Sequence, residues 1–106
     1  MPFSLNSTTL IGRVSKYGLK LERGTTTGAL ELSEVGRDER VHTSYVTIVI
    51  WGKEGAAQAS ALPPGSLVLV QGQIRPKKVK DQWTLVIAAR EVQLLDRRHE
   101  EEYATR

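Results

Sequence analysis

Residues 45–53 read YVTIVIWGK, an alternation that a strand can use and a helix cannot. Val46, Ile48 and Ile50 fall on one face of that strand, and Tyr45, Thr47, Val49 and Trp51 on the other. The first set is a core face. The second is part apolar and part aromatic, so it is either a second buried face or an exposed shelf on which flat ligands stack. Gly52 ends the strand. Residues 54–62 are Ala-rich and helix-prone until Pro63, Pro64 and Gly65 stop them, and a second long strand starts at Leu67.

The remaining segments are also strands. Residues 7–14, STTLIGRV, place Leu10, Gly12 and Val14 on one face and Thr9, Ile11 and Arg13 on the other, with the glycine marking a bulge or bend. Residues 15–21 continue in phase through Leu19 and Leu21 with a turn near Gly18, so this first strand is expected to be long and bent. Residues 23–28, RGTTTG, have the composition of a turn. Residues 29–35 alternate Leu30 and Leu32 against Glu31 and Ser33, as a half-solvated strand does. A charged loop at 36–40 makes a hairpin with the central strand. Residues 67–74 form a fourth strand with Gly72 inside it, residues 76–82 a basic loop, and residues 83–95 a last strand. Three strands, a short helix, then two strands is the order of an all-β, five-stranded Greek-key barrel, the OB-fold.

Composition bounds the rest. A chain of 106 residues is one domain, expected over residues 1–95, with a charged C-terminal tail at 96–106. The tail nets to minus one, so the body carries plus four of the overall +3, a weak field suited to a polyanion. The absence of cysteine removes disulfides and thiolate metal sites and favours a cytoplasmic location. No apolar run approaches the roughly 20 residues of a membrane span, and the N-terminus lacks the order of a signal peptide. His42 and His99 have no partner at metal-ligand spacing, Asp38 and Glu39 sit among arginines, and no glycine loop is shaped to cradle phosphate. The expectation is a non-catalytic protein with no cofactor and no metal.

Residues 6–14 (NSTTLIGRV), 45–53 (YVTIVIWGK) and 63–78 (PPGSLVLVQGQIRPKK) together resemble the bacterial single-stranded DNA-binding protein family, in register over residues 6–95. The resemblance implies an OB-fold homo-oligomer, dimer or tetramer, joined through the first strand. It also implies single-stranded nucleic acid as partner, held by base stacking without sequence preference. Tyr45 and Trp51 stand where that family carries rings. Val35 with Gly36, and Val79, stand where it often carries two more. The family's flexible tail with an acidic, apolar tip is expected to be missing, since the chain ends YATR. Short tailless relatives such as primosomal replication protein B are similar in this, which leaves a second expectation: an interaction module contacting replication proteins, with weak or no nucleic-acid binding.

The candidate nucleic-acid-binding residues are Tyr45, Trp51, Trp83, Arg75, Lys77, Lys78, Lys80, Arg13 and Lys16, with Lys20 extending the same track. Tyr45 and Trp51 are stacking platforms or rings that pack under a loop or subunit. Trp83 is a platform, or a core or interface residue. Arg75 and Lys77, Lys78 and Lys80 run along phosphates, or simply solvate a hairpin and discourage edge pairing.

Overall fold

The computed structural model describes residues 5–96. Its elements are β1 (Thr8–Glu22), β2 (Thr25–Val35), β3 (Val41–Trp51), α1 (Lys53–Ser60), β4 (Leu67–Val79) and β5 (Gln82–Asp96). They close into a barrel in the order β1-β2-β3-β5-β4, antiparallel throughout except for a short parallel seam in which Ile48, Val49 and Ile50 of β3 meet Ile87, Ala88 and Ala89 of β5. This is the expected all-β OB-fold with one short helix between the third and fourth strands. The charged tail lies outside the described residues except for Asp96, which ends β5, and His99 lies outside them too.

The alternation seen in the sequence builds the core. Val14, Leu19, Leu30, Ile48, Ile50, Val68, Val70, Ile87 and Ala89 point inward and are buried together, and Ala59 of α1 packs on them. α1 follows Gly52, whose positive φ of 96° turns the chain out of β3, and its buried Ala56 and Ala59 close one end of the barrel. Thr26 fastens the helix there: its buried hydroxyl donates to the Ala56 carbonyl at 2.6 Å. The turn into β4 is tied to β1 by Gly65 N–H to Val14 O, 2.8 Å, and Val14 N–H to Ser66 O, 2.9 Å.

Three local expectations need correction. Residues 23–28 are not one turn; only Arg23 and Gly24 turn, and β2 begins at Thr25 because Thr25, Thr26 and Thr27 pair with Trp51, Ile50 and Val49. β3 begins at Val41, straight after the charged loop at 36–40, as expected. The bend in β1 is not at Gly12. It falls at the turn expected near Gly18, between Val14 and Leu19, where the register with β2 shifts and Gly18 takes a φ of 73°. Gly12 is instead a place of close approach, where a Cβ would lie 2.6 Å from the Glu31 carbonyl oxygen. Finally, residues 76–82 are not a loop. β4 and β5 stay paired out to Val79 and Gln82, and a two-residue turn, Lys80 and Asp81, joins them with φ of 50° and 66°. The hairpin stands out beyond the barrel as a finger.

Candidate nucleic-acid interface

The outer face of β2 and β3 is set by register. Tyr45, Thr47, Val49 and Trp51 lie beside Glu31, Ala29, Thr27 and Thr25. Trp51 thus faces the short Thr25, which leaves room alongside its ring, whereas Tyr45 faces the longer Glu31. Val49 is fully buried, so the shelf is interrupted at its centre, while Trp51 is 55% and Tyr45 65% exposed. A buried aliphatic side chain contributes about 1.5–3 kcal/mol to folding. These two rings forgo much of that and hold apolar surface in water that a flat ligand can cover.

Trp51 separates two open clefts. On one side, a cleft of about 600 Å³ brings it together with Lys20, Arg23, Pro76, Lys77 and Val86. On the other, a cleft of about 440 Å³ joins it to Gln73, Arg75, Ala88 and Arg90. Five cations therefore surround one exposed ring. Glu22 is the acidic residue among them, and Arg75 donates to the side-chain oxygen of Gln73, which holds its guanidinium at the cleft. Tyr45 belongs to a separate groove of about 490 Å³ with Lys16, Tyr17, Ala29 and Glu31. There the Lys16 ammonium sits 5.2 Å from the centre of the Tyr17 ring, within range of a cation–π attraction.

The other sequence candidates are not gathered at either place. Arg13 Nη1 donates to the Gly65 carbonyl at 3.1 Å, so this guanidinium braces the turn before β4. Lys78 pairs with Trp83, and Pro76 with Leu85, on the side of the finger opposite Lys77 and Thr84. Trp83 is 69% exposed there, and Lys80 occupies the fingertip. At the far end of the β2–β3 hairpin, His42 Nε2 lies 2.9 Å from Asp38 Oδ1, and the Arg40 backbone N–H donates to the same oxygen. The hydrogen bond with His42, then that with Arg40, holds the Asp38 carboxyl below the usual carboxylate range. No group of acids and histidines able to hold a metal occurs among the described residues, and none of their helices is long and apolar enough to cross a membrane.

The sequence profile of the single-strand binding protein family matches residues 5–95. The chain belongs to that family. Among its relatives is a single-stranded DNA-binding protein 3 of Clostridium acetobutylicum, 29% identical over 103 residues, covering 87% of this chain and 72% of that one. Among solved structures, Plasmodium falciparum SSB in complex with ssDNA superposes with a TM-score of 0.67 at 25% identity, covering 91% of this chain and 99% of the other.

Two of the positions where the resemblance led to rings carry none in this member of the single-strand binding protein family. Val35 and Val79, at the positions where rings were expected from the resemblance, are exposed aliphatics. The structure supplies a ring elsewhere, in Tyr17, 77% exposed. Sequence reasoning missed it because Tyr17 lies in the irregular stretch between Val14 and Leu19, where period-two reading fails. Arg23 and Arg90 were missed as well. Arg90 was findable, since it lies out of phase with the buried Ile87 and Ala89 of β5. Arg23 was taken for part of a turn without a face.

Proposed function

We propose that this protein binds single-stranded DNA without catalysis, stacking bases on Trp51 and Tyr45 while Arg75, Lys77 and Lys20 neutralise phosphates. The observation that carries this reading is the placement of exposed Trp51 between two cation-lined clefts. Stacking is indifferent to base identity because every base has a π-face, at about 1–3 kcal/mol per base. A strand that continues out along the finger reaches Lys80 at its tip and, by turning round it, Lys78 and Trp83. Arg13 serves the fold rather than the ligand.

Assembly as a cytoplasmic dimer or tetramer fits the same reading. β1 pairs with β4 from Thr8 onward but with β2 only from Arg13, so residues 8–12 have one unpaired edge among the described residues, and Ile11 on it is exposed. An open apolar edge is a place for a second strand.

The test is titration of a Trp83→Phe variant with poly(dT), with Trp51 as the remaining tryptophan, at low and moderate salt. Saturable quenching that weakens with salt is the expected result. No quenching at low salt removes the stacking reading and leaves that of an interaction module.

A further inference from the structure

The groove that holds Tyr45 differs chemically from the clefts beside Trp51. Tyr17 and Tyr45 line it, Ala29 contributes only a methyl group, Lys16 is the cation and Glu31 the carboxylate. The carboxylate is the informative member. Phosphates repel it, and among the described residues no side chain or backbone group engages it. Arg13, directly opposite Glu31 on β1, directs Nη1 at the Gly65 carbonyl instead. A carboxylate beside exposed rings is suited to the donor edge of a base. Cytosine, adenine and guanine offer an exocyclic amine to such an acceptor, whereas thymine flanks its one N–H with two carbonyl oxygens.

We propose that this groove is a second, base-selective subsite for single-stranded DNA. It takes one amino-bearing base, cytosine, adenine or guanine, stacked on Tyr17, with Glu31 accepting from the amine and Lys16 holding the adjoining phosphate. The proposal rests on the single-stranded DNA reading above and adds a preference to it. Lys16, 5.2 Å from the centre of the Tyr17 ring, is already close enough to serve the ring and a neighbouring phosphate together. Tyr17 itself is exposed and has no partner in the core, so its removal leaves the barrel intact.

The experiment measures affinities of the full chain for oligo(dC) and oligo(dT) of equal length at one salt concentration, by tryptophan quenching, for wild type, Tyr17→Ala, Tyr17→Phe and Glu31→Val, with circular dichroism confirming each fold. Tyr17→Ala is expected to weaken oligo(dC) binding about tenfold, and Tyr17→Phe to restore it. Glu31→Val is expected to lower the dC-to-dT affinity ratio about tenfold, even as loss of the negative charge tightens both. A ratio unchanged by Glu31→Val, or wild-type binding by Tyr17→Ala, overturns the subsite. Wild type that quenches with neither oligonucleotide overturns the DNA-binding reading itself, a different failure.

Discussion

Single side chains decide how the ends of this barrel are held. Thr26 places a hydroxyl against the helix that plugs one end, and a valine of nearly the same shape keeps the packing while losing the hydrogen bond to Ala56. Thr26→Val is expected to cost about 0.5–1.5 kcal/mol, read as a lower urea midpoint with unchanged slope, and Thr26→Ser to cost less. Nothing in RGTTTG announces that role, because threonine and glycine have the same composition in a turn and in a strand that packs under a helix. Trp51 was legible for the opposite reason. Its strand had already supplied three inward aliphatics, so the ring had to face out. For Arg13 the charge and the face were readable, but its partner, a backbone carbonyl 52 residues away, was not.

At the scale of elements, the finger shows where composition misleads. Pro76, Lys77, Lys78 and Lys80 look like a loop, yet each residue from Pro76 to Val79 pairs with one from Leu85 to Gln82. The ladder needs only that its turn close tightly, and it does so with two non-glycine residues at positive φ. Such turns match the twist of the strands they join but favour Asn-Gly, since an L side chain in the left-handed region costs roughly 1 kcal/mol. Asp81→Gly is therefore expected to raise the melting temperature by a few degrees and to protect the finger amides from hydrogen exchange. Gly72 is the converse case. It sits at the bulge where β4 shifts register against β5, and a Cβ there would collide with the Ala88 carbonyl oxygen. The sequence showed a glycine inside a strand; the reason for it, the approach of a neighbouring backbone, belongs to the closed sheet.

For the molecule as a whole, the order of elements was readable and the grouping of charges was not. Closure brings Lys20 and Arg23 from the β1–β2 hairpin to the same ring as Arg75 and Lys77 from β4 and Arg90 from β5. Register across five strands sets this, and no local pattern contains it. If these cations meet phosphates, the affinity for an oligonucleotide falls with log salt by about 0.7 per phosphate neutralised. Replacing Arg75 and Lys77 together by alanine is then expected to flatten that slope by about 1.4 and to weaken dC and dT oligonucleotides alike. An unchanged slope would move the phosphate track elsewhere. The ring between the two clefts carries a further implication, for motion. Trp51 borders open space in two clefts, so if bases stack on it as proposed, one can leave while its neighbour stays in place. A bound strand is then expected to creep past the protein a nucleotide at a time without letting go.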